Sequence, residues 1–146
     1  MSDKYISLDL RRVIADRAGH CCEYCLAQEQ YSSDSFTVDH IVPQNLNGPT
    51  EANNLAYSCY GCNQHKSIRT TFADTATGGT VELFNPRVQA WNDHFTWDES
   101  FTLIVGLTPV GRATIAALQL NRFGLVNLRR ALYAIGEHPP RNIQNS

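Results

Sequence analysis

The chain holds no apolar run near the ~20 residues that a membrane-spanning helix requires. Its first residues, Met1-Ser2-Asp3-Lys4-Tyr5, lack the basic-then-apolar pattern of a secretion signal, so a cytoplasmic location is the expectation. Positive charge is also scarce: 12 Lys and Arg stand against 14 Asp and Glu, for a formal net charge of −2. That excludes a global field as the means of holding a polyanion. The imbalance is uneven, with six Lys/Arg against nine Asp/Glu in residues 1–75 and six against five in residues 76–146. Contact with nucleic acid must then come from local clusters and be salt-sensitive, or draw on a partner protein, unknown at this point. Internal repeats and low-complexity tracts are missing too. What is left, 146 residues at 42% hydrophobic, suits one compact domain or two small units sharing a core.

Five cysteines are present, an odd number, and four of them fall into two Cys-x-x-Cys pairs: Cys22-Glu23-Tyr24-Cys25 and Cys59-Tyr60-Gly61-Cys62. Without a secretion pattern, this arithmetic favours thiolates on a metal over disulfides. A CxxC turn presents two sulfurs to one ion, and two turns close a tetrahedron around zinc. The spacer of 33 residues between Cys25 and Cys59 exceeds that of a simple zinc ribbon. A zinc held by four cysteines keeps no open position, so Cys22, Cys25, Cys59 and Cys62 predict a structural zinc. Cys21 is left over as a small, partly buried thiol.

The hydrophobic pattern predicts a helix over 7–18, with Ser7 as its cap, Gly19 as its stop, and Leu10, Val13, Ile14 and the stem of Arg17 on its buried stripe. Phe36-Thr37-Val38 predicts a strand ending on Asp39-His40. Thr50 reads as the cap of a helix through 51–57, and a further helical turn carries Asn63, Lys66 and Ile68. Residues 72–80 read as a boundary or a hairpin loop. Beyond them come a strand at 81–84, a short helix around Trp91, and paired strands at 95–97 and 101–105. Helices from Pro109 to about Leu120 and over 123–135 follow, and the Pro139-Pro140 tail reads as loose. The aromatic cluster Trp91, His94, Phe95 and Trp97 reads as core, with base stacking as the lesser alternative.

Between the cysteine pairs lies Asp39-His40, a hard-metal ligand beside a base that titrates near neutral pH. Asp39-His40-Ile41-Val42-Pro43, then Gly48, Asn54-Leu55 and Cys59-x-x-Cys62-Asn63-x-x-Lys66 together resemble an HNH endonuclease of the ββα-metal class, over about residues 10–70. The resemblance implies an α+β fold: an HNH core stapled by the zinc site over 1–71, and a mixed α/β extension over 72–146 packed on it. It also implies roles. His40 is the general base, and Asp39 binds a catalytic Mg²⁺ or Mn²⁺. Asn63 is the second protein ligand, and Asn54 orients the histidine. Lys66 touches the phosphate or nearby backbone. Asn63 stands where the family's second histidine would be. An amide oxygen is a harder ligand than imidazole, so the change favours Mg²⁺ over softer ions. His65 is the competing ligand, although a helix would turn it elsewhere.

Arg11, Arg12, Lys66, Arg69 and Arg87 could line a phosphate track, with Arg129-Arg130 as a second contact; ordinary solvated arginines fit the pattern equally well. Taken singly, each residue of the motif is unremarkable, and its spacing between two CxxC pairs carries the reading. The expected function is metal-dependent hydrolysis of DNA, most simply duplex, to 5′-phosphate and 3′-hydroxyl ends, without membrane association. The alternatives are a non-catalytic zinc-dependent module that binds nucleic acid or protein, and an RNA-directed nuclease. If the four cysteines hold structural zinc, Cys59→Ala loses both metal and fold, as read by metal content and far-ultraviolet circular dichroism.

Overall fold

The computed structural model describes residues 6–141. The N-terminal run Met1–Tyr5 read above lies outside them. Helix α1 (Leu8–Arg17) begins where the Ser7 hydroxyl accepts the Leu10 N–H at 3.1 Å, and the chain turns away at Gly19 with φ of 64°. Ile14, Ala15 and Ala18 are buried and Leu10 is half-buried. Val13, expected on that stripe, is 53% exposed, because positions 10, 14 and 18 stack four apart and 13 falls off their line.

Strands β1 (Phe36–His40) and β2 (Leu55–Cys59) pair antiparallel, with Phe36 opposite Cys59 and His40 opposite Leu55. Here the expectation of a helix over 51–57 fails: Ala52–Asn54 is a single 3₁₀ turn and Leu55–Cys59 is strand. All of β2 is buried, and its backbone is satisfied sideways on both edges. One edge pairs with β1. On the other, Tyr57 accepts the Glu23 N–H at 2.9 Å and donates its own N–H to the Glu23 carboxylate at 2.8 Å, while Arg17 and Arg87 donate to the Leu55 carbonyl. Lateral pairing of this kind overrides the helix propensity of a short polar run. Helix α2 (Tyr60–Lys66) follows β2 directly, completing a ββα unit.

The later elements stand near their predicted places. A hairpin joins β3 (Thr71–Ala73) to β4 (Thr80–Glu82), and α3 (Trp91–His94) leads into β5 (Phe95–Trp97), which pairs with β6 (Ile104–Gly106). Helix α4 (Pro109–Leu118) is capped by the Thr108 hydroxyl, which accepts the Gly111 N–H at 3.1 Å, and α5 (Phe123–Ala134) follows. His138, where the Pro139-Pro140 tail begins, is docked: it is buried, 2.9 Å from the Phe101 carbonyl and edge-on to Trp97 at 4.6 Å, while residues 142–146 of the tail lie outside the described residues.

One hydrophobic cluster joins the four paired cysteines to Phe84, Trp91, Phe95, Ile104 and Leu118 from the later elements. The Trp91 indole donates to the Tyr24 carbonyl at 3.0 Å, so the aromatic cluster closes over the first knuckle as core. A smaller cluster of Ile14, Val38 and Leu55 seats α1 on the β1–β2 pair. The described residues thus form small antiparallel sheets and short helices, an α+β fold.

The β3–β4 hairpin is held on α4 by Asp74. Its buried carboxylate accepts the Arg112 Nε at 2.8 Å and Nη2 at 3.1 Å, and also the Thr77 hydroxyl at 2.9 Å. The Arg112 guanidinium, aided by Thr77, holds Asp74 well below the usual carboxylate range. A depressed carboxylate stabilises the fold above its unfolded pKa and stops doing so as pH falls through the folded one. Asp74→Asn is therefore expected to be less stable than the parent at pH 7. That gap should close as the pH is lowered below roughly 5, as followed by urea denaturation across pH.

Candidate active site and metal centre

The first knuckle is a tight turn in which the Cys25 N–H donates to Cys22 Sγ at 3.5 Å and the Leu26 N–H donates to the Cys22 carbonyl at 2.9 Å. Leu26 takes a left-handed conformation at φ 63°, and its buried side chain holds it there. In the second knuckle Cys59 caps α2, its sulfur accepting the Cys62 N–H at 3.5 Å. The four sulfurs lie within 4.8 Å of one another and all four residues are buried. Cys25 and Cys59 Sγ are 3.7 Å apart, which is not a disulfide. It is close to the edge of about 3.8 Å in a tetrahedron of roughly 2.3 Å zinc–sulfur bonds.

The donor chemistry fits a cation. Burial pushes the Cys22 and Cys62 thiols up, while hydrogen bonds from Cys22, Cys25 and Cys62 draw Cys59 down. The protein alone thus favours ionising one sulfur of the set, and the others need a positive charge to give up their protons. Cys21 stays outside the cluster. Its buried thiol donates to the Gly19 carbonyl at 3.5 Å, and burial raises it to about 11.

The second site is a cleft of about 470 Å³ lined by Asp39, His40, Asn63, Gln44, Asn45 and Gln64, among others. Asp39 and His40 end β1, and Asn63 faces them from the middle of α2. Both polar contacts on Asp39 fall on Oδ2: the Tyr24 hydroxyl donates at 3.0 Å and the Lys66 ammonium stands at 3.1 Å. Oδ1 is left for the cleft. Burial pushes the Asp39 carboxyl up, against the pull of Lys66. An oxygen of Asp39 and the amide oxygen of Asn63 are donors that suit a hard divalent cation. His40 Nδ1 is enclosed, and Nε2 lies 2.8 Å from the Thr50 hydroxyl.

Asn54 is buried and fully used. Its Oδ1 accepts the Val42 N–H at 3.0 Å, and its Nδ2 donates to the carbonyls of Val42 at 3.1 Å and Pro49 at 2.9 Å. It clamps the two ends of the 42–49 loop behind His40, from the 3₁₀ turn rather than from a helix. The same loop makes Gly48 obligatory, since a Cβ there would lie 1.7 Å from the Val42 carbonyl oxygen.

Several sequence readings change. Lys66, expected at the phosphate or a nearby backbone, meets the second alternative: only 2% exposed, its ammonium serves Asp39 and approaches the carbonyls of His40 and Ile41 at 3.5 Å. Arg87 pairs with Glu23 rather than lining a phosphate track. Arg129 is buried among the carbonyls of Thr102 and Leu120 and lies over Trp97, so it offers no surface contact. Arg69 is exposed near Phe72, donating to the His65 carbonyl at 2.6 Å, and Arg12 is exposed beside Asp9. His65 is not among the cleft residues.

Three contributors escaped the sequence reading. Tyr24 lies inside the first CxxC, so its hydroxyl arrives at Asp39 with the knuckle. Thr50 reads as a helix cap yet meets His40. Arg122 donates to Cys59 Sγ at 3.4 Å and Cys62 Sγ at 3.6 Å, and carries no local signal at all.

Removing one partner of a buried ion pair strands the other. Lys66→Met is therefore expected to cost about 3–5 kcal/mol, whereas Arg69→Gln on the surface should stay within about 0.5 kcal/mol of the parent. Urea denaturation of the two variants checks the contrast.

No helix of the described residues is long and apolar enough to cross a membrane. No curated protein and no solved structure matches the chain. A family model described as HNH endonuclease matches residues 22–69, which run from the first knuckle through α2 and bracket both the sulfur cluster and the cleft. Residues 22–69 of this chain are therefore similar to an HNH endonuclease domain.

Proposed function

We propose that the cleft hydrolyses phosphodiester bonds of DNA, leaving 5′-phosphate and 3′-hydroxyl ends. The observation that carries this reading is the convergence of Asp39, His40 and Asn63 on one cleft, from the end of a strand and the facing helix. Asp39 Oδ1 and the Asn63 amide oxygen would hold a Mg²⁺ or Mn²⁺ ion. Bound there, the ion supplies positive charge to the phosphate and to the departing 3′ oxygen. His40 takes a proton from the attacking water through Nε2, the ring nitrogen that meets the Thr50 hydroxyl. As the phosphate enters, water takes the place of the Thr50 hydroxyl at that nitrogen. Lys66 and Tyr24 fix Asp39 from behind, and Asn54 and Gly48 keep the loop from collapsing onto the ring.

The second reading, a zinc-dependent binding module without catalysis, draws on one observation. No Lys or Arg is among the cleft-lining residues, so the cleft itself offers a polyanion little grip.

Plasmid nicking separates the two. Zinc-loaded protein freed of loosely held metal is expected to relax supercoiled DNA only when Mg²⁺ or Mn²⁺ is restored. His40→Ala should slow this by roughly 10²–10⁴-fold while retaining zinc and fold. A variant as active as the parent would remove His40 from the role of base. Absence of cleavage with any divalent ion, in protein that still holds zinc, would favour the binding module. A parallel RNA substrate decides between the two nucleic acids.

A further inference from the structure

The sulfur cluster is contributed entirely by residues 22–62, yet a side chain from the far end of the chain reaches it. Arg122 lies between α4 and α5. Its Nη2 donates to Cys59 Sγ at 3.4 Å and its Nη1 to Cys62 Sγ at 3.6 Å, one nitrogen to each cysteine of the second knuckle. The same Nη1 also points at the carbonyls of Leu118 at 3.2 Å and Gln119 at 3.1 Å, the end of α4 and its C-cap, which share its two N–H groups with Cys62 Sγ. Room for it comes from Gly61, between the two cysteines: a Cβ there would lie 2.4 Å from Arg122 Nη2 and 2.8 Å from Cζ. Gly61 lies in helical backbone, so the turn does not require a glycine there; the guanidinium does.

We infer that Arg122 is a positioning residue of the zinc centre, and that the C-terminal elements complete this centre rather than merely pack beside it. Four thiolates around a divalent ion leave a doubly negative group, costly to bury. A guanidinium donating to two of the sulfurs offsets part of that charge and fixes their direction, as outer-shell partners of metal ligands do. The planar fork of arginine spans two sulfurs from one rigid group, which a lysine ammonium does not. The ordinary alternative is that Arg122 only caps α4 through Leu118 and Gln119, in which case its contacts with the sulfurs are incidental.

Two substitutions in the full chain distinguish these. Arg122→Gln removes the cation. Gly61→Ala leaves Arg122 in place and suits a helix, but drives the guanidinium off the sulfurs. Zinc release to a colorimetric chelator is expected to accelerate by about 10–100-fold in both, with Arg130→Gln, an exposed control, unchanged. In Co²⁺-loaded protein, loss of hydrogen bonds to sulfur raises the energy of its lone pairs, so the sulfur-to-cobalt charge-transfer band should move to lower energy in both variants. A capping role would leave that band where it is. If Arg122→Gln fails to fold, Gly61→Ala decides alone. Parent-like zinc release and an unshifted cobalt band in Gly61→Ala would overturn the inference. The test needs no DNA, so its outcome is independent of whether the cleft cuts.

Discussion

Four cysteine sulfurs brought within 4.8 Å of one another are the constraint on which the rest of the protein depends. The knuckles that carry them are the two ends of the segment holding the cleft, so closing the cluster fixes where that segment starts and stops. The Tyr24 hydroxyl is delivered to Asp39 by the first knuckle, and Asn63 is the residue immediately after the second. A chain of this length has a modest core, and a metal held by the four sulfurs would offset what a small core cannot supply. The aromatic side chains of the later elements then pack on the knuckles from outside, Trp91 by hydrogen bond and Phe84 and Phe95 by contact within the same cluster.

The charges of this chain are put to work internally. Lys66, Arg17, Arg87, Arg112, Arg122 and Arg129 each serve a carboxylate, a carbonyl or a sulfur within the fold. In a sequence with only 12 Lys and Arg, this leaves few cations for a polyanion. The cleft wall reflects the same economy, being lined by the amides of Gln44, Asn45, Asn63 and Gln64. Neutral amides position a ligand by hydrogen bonding rather than by attraction at a distance. In the proposed reading, chemistry in such a cleft would rest on local geometry, with a bound metal providing the positive charge that side chains do not.

Much of this was legible in the residues. Cap and stop signals placed α1 and α4, because Ser7 and Thr108 satisfy helix N–H groups through their own hydroxyls and the signal is local. The CxxC spacing identified the sulfur cluster, since two residues between cysteines let one turn present both. The helix expected over 51–57 failed because the deciding partners lie elsewhere: β1, Glu23 and two arginines from distant segments claim the backbone of β2. For Lys66 only the phosphate alternative failed, for a related reason. Helical spacing placed it correctly one turn beyond Asn63, but said nothing of which side of α2 faces the interior.

What the sequence by itself determined is therefore what neighbouring residues decide: the knuckles, the helix ends, the Asp39-His40 pair and its membership of a spaced motif. Tertiary structure alone decided which backbone edges of residues 55–59 would be claimed and which oxygen of Asp39 would remain open to the cleft. It also decided that Arg122, some 60 residues downstream, would meet Cys59 and Cys62. Hydrogen bonds within a turn are written in adjacent residues, whereas burial of a charge depends on every segment that happens to fold against it.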